Sequence, residues 1–218
     1  MERRHSTALF WSVYAAAALA IDFAATHSVQ TPINWRVFHW QLDNGFDVYK
    51  FLAWFAVPFI LNIRNIQVSY FTFAHWRKID WILLGLVVGV GAIIMVLIPY
   101  FPSARQLYGS RAHLNMAAKW SYFRYQFLWI LSWLIGWEFL HRYVLATRFA
   151  ELRPRLIWVV IPILEGLYHC RKPWPEIGLM VLFSLIFTPW VIGRRNSLLP
   201  LLAHFVIEVE LVIFQLLV

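Results

Sequence analysis

Long apolar runs, broken at intervals by short polar turns, set the pattern of this chain. A membrane-crossing helix needs about 20 mostly apolar residues. On that measure seven runs are candidates: 6–25, 48–71, 81–101, 118–149, 156–169, 176–192 and 197–218. The run Trp81–Phe101 carries no charge and is the clearest, with Pro99 and Pro102 at its end. Residues 48–71 are the weakest, because Asn62, Arg64 and Asn65 interrupt them. The 118–149 run is long enough to protrude from a bilayer. The 156–169 run is short, starts after Pro154 and has Pro162 inside it, and proline punctuates helices. Asn196 or Ser197 is placed to cap the last helix. Residues 27–47, with Pro32, Trp35, Phe38 and Trp40, read as a surface-lying or re-entrant segment. Residues 103–117 read as a polar loop and Cys170–Pro175 as a tight polar turn. The runs are continuous and do not alternate, so a closed barrel is not expected. The pattern predicts an all-α fold, a polytopic membrane helix bundle of about seven transmembrane helices. Residues 1–117 supply N-terminal transmembrane helices and interfacial segments, and 118–218 supply core helices of the same single membrane domain.

Composition strengthens the membrane reading. Of 218 residues, 61% are hydrophobic and 14% charged, and the mean hydropathy is +0.62. A soluble domain is nearer 45–50% apolar and about 25% charged. The 13 Trp and 9 Tyr fit aromatic belts at the membrane interfaces. A net charge of +8 suits contact with an anionic lipid bilayer. No nucleic-acid partner is expected, because the basic residues lie between hydrophobic runs and not on a soluble face. The single cysteine, Cys170, excludes an intrachain disulfide framework. The start, Met1–His5 followed by Ala8–Ala20, has the look of a secretory signal. An uncleaved first transmembrane helix is the expectation, since further spans follow and need an initial anchor. With the amino terminus inside, ten Lys or Arg fall on the inner side and eight on the outer, so the positive-inside rule leaves orientation weakly set. Oligomeric state is not written in the sequence.

Within the greasy runs, three pairs of ionisable residues recur at a spacing of four: Glu138/Arg142, Glu165/His169 and His204/Glu208. That spacing puts both members on one helix face. Ionisable groups at membrane depth are costly and mark functional sites or paired charges. Glu138/Arg142 reads equally as an ion pair that neutralises two charges. Glu165 beside His169 suits general acid–base work. His204 and Glu208 sit deep in a helix with little other charge. Glu210 points to another face and is expected to pair with a basic residue elsewhere. Cys170 adjoins His169, but adjacent helical residues diverge, so a thiol nucleophile is not favoured. No His-Glu-x-x-His zinc signature occurs. His169, His204 and Glu208 are nonetheless possible ligands for a divalent metal such as zinc.

These residues resemble the CPBP family, the CAAX-prenyl protease and bacteriocin-processing intramembrane proteases. That family carries the motifs Glu-Glu-x-x-x-Arg, Phe-x-x-x-His and His-x-x-x-Asn. Trp137-Glu138-Phe-Leu-His-Arg142 resembles the first, Glu165-Gly-Leu-Tyr-His169 the second, and His204-Phe-Val-Ile-Glu208 the third. The resemblance covers roughly residues 118–218. It implies an intramembrane endopeptidase, of glutamate or metal-dependent type, in a bacterial cytoplasmic membrane. Its substrate would be a membrane-anchored or lipid-modified peptide or protein. There are three departures. Trp137 stands at the family's first glutamate, Glu165 at its phenylalanine and Glu208 at its asparagine. The resemblance therefore implies Glu138, Glu165, His169, His204 and Glu208 as catalytic residues, with Glu165 taking over as the base. Arg142 and Trp137 become structural and orienting residues. Two other readings stay open: a catalytically inactive relative that binds a substrate or partner segment, and a proton-coupled carrier.

Overall fold

A computed structural model describes residues 2–27, 34–150 and 154–217, and helices carry almost all of them. Among the described residues there is no strand, and a bridge between Gln41 and Asp47 is the one β-like pairing. Helix α1 spans Glu2–Thr26. Helix α2, residues 48–62, is α-helical over Val48–Lys50, π-helical over Phe51–Ala56 and α-helical again over Val57–Asn62. Helix α3 is Lys78–Leu97 and tightens into a 3-10 turn at Ile98–Tyr100. The short α4 is Pro102–Leu107. Helix α5, residues 116–150, joins Met116–Trp137, the π-helical Glu138–Leu145 and Ala146–Ala150. Then follow α6, Pro154–Tyr168, α7, Trp174–Arg194, and α8, Leu198–Leu217.

Among the described residues four helices, rather than the expected seven, are long and apolar enough to cross a membrane: Thr7–Thr26, Lys78–Tyr100, Trp174–Arg194 and Leu198–Leu217. They fit an integral membrane protein, and their outward faces are apolar. Leu86, Ile93 and Val96 on α3, and Leu182 on α7, are all exposed, an arrangement suited to lipid contact. The other three expected spans fall short for different reasons. In 48–71 the helix stops at Asn62, and Ile63–Asn65 and Val68–Phe71 are separate 3-10 turns. Residues 156–169 form an apolar helix of only Leu156–Tyr168. Helix α5 is long enough, but Lys119, Arg124, Glu138 and Arg142 dilute its hydropathy. Of the segment 27–47, residues 28–33 lie outside the described residues. The remainder is a 3-10 turn at Trp35–Phe38 and a loop leading to α2, which Asp47 caps at Lys50 N with a 3.0 Å bond. The restart near Pro154 follows residues 151–153, also outside the described residues.

The core lies around the π-helical stretch of α5, where every residue from Glu138 to Leu145 is buried. The small face of α1 (Ala15 and Ala18) packs on it, with Trp54 of α2, Ile157 and Ile161 of α6 and Val191 of α7. At one end of the bundle, Asp80 on the first turn of α3 accepts from Arg194 at 2.8 Å and from Trp190 Nε1 at 2.9 Å. Asn196, as expected, caps α8 through Leu199 N at 3.0 Å. At the other end, Arg111 N donates to the carbonyl of Gln215 at 2.6 Å, and Tyr108 donates to Glu176. Helices α3, α7 and α8 therefore each run from one end to the other.

Candidate functional site

The expected convergence of the three motif helices takes one particular form. Arg142 of α5 pairs with Glu138 one turn earlier, and its Nη2 donates to Glu165 Oε2 of α6 at 2.7 Å. His204 of α8 donates from Nδ1 to Glu138 Oε1 at 2.7 Å. Its Nε2 lies 3.8 Å from Glu208 Oε1. The result is a continuous chain of acidic and basic side chains, Glu165–Arg142–Glu138–His204–Glu208. Such groups survive burial only when paired. Around the chain, the Arg142 guanidinium lies 4.8 Å over the Phe183 ring. The His204 ring sits between Trp133 and Phe183, 5.4 Å from each. Ser184 of α7 stands beside the Glu165 carboxyl. Glu138 Oε2, Glu165 Oε1 and Arg142 Nε are buried without a hydrogen-bond partner.

The π-helical turn places the first motif. Such wide turns recur at functional sites, and here one sends Glu138 and Arg142 inward together while Leu140 and Leu145 stay in the core. Pro162 is absorbed inside α6, which still delivers Glu165 to Arg142.

His169 takes another place. Its Nδ1 donates to the backbone carbonyl of Glu165 at 2.8 Å, not to the Glu165 side chain, which Arg142 has captured. Its ring stands edge-on to Trp137 at 5.7 Å. Trp137 itself is buried among Trp54, Tyr168, His141 and His169. Glu210 does face away from His204, toward α3, where a Cβ on Gly91 would strike its carboxyl. Instead of a basic partner, its Oε2 is buried with no hydrogen-bond partner. Cys170 is exposed. Among the described residues no three His, Cys, Asp or Glu side chains are grouped to hold a metal ion.

Exposure falls steadily along the polar chain. The side chains of Lys172 and Glu176, 3.3 Å apart, are 40% and 23% exposed. Glu208 is 22% exposed and His204 4%, and Arg142 and Glu165 are 0%. Lys172 and Glu176 act electrostatically on Glu208 and on His169. The polar groups thus descend from the Gln215 end of the bundle into its interior. Tyr108 closes the upper end. Burial, and then the Glu176 carboxylate, push its phenol up, so it remains a donor to Glu176.

Two features escaped the sequence reading. His141 is fully buried; its Nδ1 donates to the Trp137 carbonyl at 3.0 Å, and its Nε2 has no partner. Its place inside the first motif was the available signal. The second feature is another buried ionic group. Lys50 Nζ lies 3.3 Å from Asp47 and 3.9 Å from Asp22, and Tyr168 donates to Asp22. Asp22 was visible as a charge late in the first apolar run, but Lys50 fell at the start of the 48–71 run and Asp47 at the end of the surface-lying segment, and no spacing joins the three.

No family model matches the chain, and no curated protein and no solved structure matches it.

Proposed function

We propose that this protein is an intramembrane endopeptidase that cuts a membrane-anchored or lipid-modified peptide or protein. The observation that carries the reading is the Glu165–Arg142–Glu138–His204–Glu208 chain. It joins the three motif helices and keeps two carboxylate oxygens unpartnered beside a guanidinium. Glu165 is the base. Arg142 holds its Oε2, and Oε1 takes a proton from water. The resulting hydroxide attacks the scissile carbonyl. His204, braced on Nδ1 by Glu138, donates from Nε2 to the oxyanion, and Glu208 in its neutral acid form donates through its O–H. The intermediate collapses, the C–N bond breaks, and the proton held by Glu165 passes to the leaving amine. His169, bonded to the Glu165 carbonyl and edge-on to Trp137, stands outside the hydrogen-bonded chain and orients the end of α6.

The one-ended fall in exposure supports a hydrolase over a carrier, since a carrier needs a path to both faces. The membrane is a bacterial cytoplasmic membrane in this reading, and α2, α5 and α6 lie at membrane depth behind the four long helices, completing the seven. His204, with Nδ1 held by a carboxylate, has the bracing usual for a metal-ligating imidazole, and His169 and Glu208 are the other donors a zinc ion would need. The glutamate mechanism is preferred because, among the described residues, His169, His204 and Glu208 are not grouped around one point.

The test is cleavage of a membrane-anchored peptide by the protein reconstituted in liposomes. Glu165→Gln lowers kcat by about 10²–10⁴-fold, the contribution of a positioned base. His204→Ala also abolishes cutting, and a chelator leaves it unchanged. Normal processing by Glu165→Gln overturns the assignment of the base. Trp137 at the first-motif position favours a second reading, a relative that binds a substrate segment without cutting it. Retained peptide binding with no product from the wild type would establish that alternative.

A further inference from the structure

Behind the carboxylate chain lies a box of rings that the mechanism above leaves unused. Trp137 stands at its centre. The ring centroid of Trp54 is 5.4 Å away, that of His141 4.3 Å, that of Tyr168 5.1 Å and that of His169 5.7 Å. Three nitrogens in this box are buried with no partner: the indole Nε1 of Trp54, the indole Nε1 of Trp137 and Nε2 of His141. An indole nitrogen is only a donor. The His141 Nδ1 hydrogen is committed to the Trp137 carbonyl at 3.0 Å, which leaves Nε2 of the neutral ring as an acceptor. Buried polar atoms are nearly always satisfied by protein or by ordered water. Two donors and one acceptor in one small box are the partners a single water molecule uses.

We propose that Trp54, Trp137 and His141 hold an ordered water molecule next to His169. The water accepts from the two indoles and donates to His141 Nε2. His169, whose Nδ1 is fixed on the Glu165 carbonyl at 2.8 Å, has its own Nε2 available for the second hydrogen of that water. If the chain is a hydrolase, a role that rests on the proposed function, this site is a store from which water reaches Glu165 at membrane depth.

The experiment uses the full-length protein, labelled with nitrogen-15 in detergent micelles. Magnetisation transfer from water to the indole N–H protons is measured in the wild type, in His141→Phe and in Trp137→Phe. Both variants keep an aromatic ring, and Trp137→Phe removes one indole donor while leaving the backbone carbonyl that holds His141 Nδ1. The wild type shows long-lived water transfer to the Trp54 and Trp137 indoles, and His141→Phe loses it at both. In Trp137→Phe the Trp54 signal weakens. Absence of water transfer to both indoles in the folded wild type overturns the site. So does an unchanged signal in folded His141→Phe. This readout does not depend on cleavage, so a protein that cuts nothing can still carry the water. In an active protein, His141→Phe lowers kcat at constant KM, and an unaltered kcat overturns the storage role alone.

Discussion

Arg142 is the residue on which the interior chemistry turns. It is fully buried and satisfies carboxylates from two helices at once. Removing one member of a buried ion pair costs about 3–5 kcal/mol, chiefly because the partner charge is stranded. Arg142→Met therefore lowers the thermal unfolding temperature in detergent sharply. The triple change to Arg142→Met, Glu138→Gln and Glu165→Gln recovers most of that loss, since no charge is then left unpaired. An unaltered midpoint in the single variant would show that the pairs are not formed. The sequence made half of this legible. Glu138 and Arg142 are four apart, so helical spacing alone pairs them. The bond from Arg142 to Glu165 crosses between helices and has no periodic signature. The same spacing misread Glu165 and His169. There the imidazole satisfied itself on its own helix carbonyl, because the carboxyl had a stronger partner.

At the level of the helix, close packing on α5 depends on one missing side chain. A Cβ on Gly136 would stand 2.8 Å from Trp54 Cβ and 2.9 Å from the Trp54 carbonyl carbon, nearer than atoms can sit without displacing α2. Overpacking of this kind costs about 1–3 kcal/mol, more than the roughly 0.5–1 kcal/mol that helix propensity returns when alanine replaces glycine. Gly136→Ala thus destabilises, whereas Gly85→Ala on α3, where a Cβ meets nothing within 4 Å, is neutral or mildly stabilising. Parallel unfolding curves for the two variants test this, and equal midpoints would remove the tight α2–α5 contact. Membrane-spanning length was legible from apolar run length for α1, α3, α7 and α8. It was overestimated where polar side chains end a helix for a packing reason. In 48–71 the asparagines end the helix: Asn62 Nδ2 turns back to the Pro58 carbonyl at 2.9 Å, and Arg148 reaches Asn62 Oδ1 at 3.2 Å. The two π-helical stretches, in α2 and α5, alter which residues share a face, and hydropathy carries no sign of them.

At the scale of the whole molecule, the two polar ends define a sidedness that the Lys and Arg count left almost undecided. Arg194 and Asn196 gather on Asp80 at one end, while Tyr108, Glu176 and the Gln215 carbonyl meet at the other. Helix α7 connects them, and its 21 residues rise about 31 Å at 1.5 Å each, close to the roughly 30 Å hydrocarbon thickness of a bilayer. Cys170 is the only cysteine in the sequence and is exposed just before α7 begins. Arg195 follows the end of α7 in a left-handed turn, at φ 50°. The protein therefore carries a natural label site near one end, and Arg195→Cys in a Cys170→Ser background supplies a site at the other. In sealed vesicles of uniform orientation, a membrane-impermeant maleimide labels one of these thiols from outside, and the second reacts only after the vesicles are opened. Labelling of both from the same side would mean that α7 does not cross, and the fall in exposure from Lys172 to Glu165 would then lead in from the membrane plane instead of from one aqueous face. The thiol reached from the same side as Cys170 also fixes the compartment from which a substrate approaches Glu208, because Lys172 and Glu176 lie within one turn or so of that cysteine and stand at the exposed end of the polar chain.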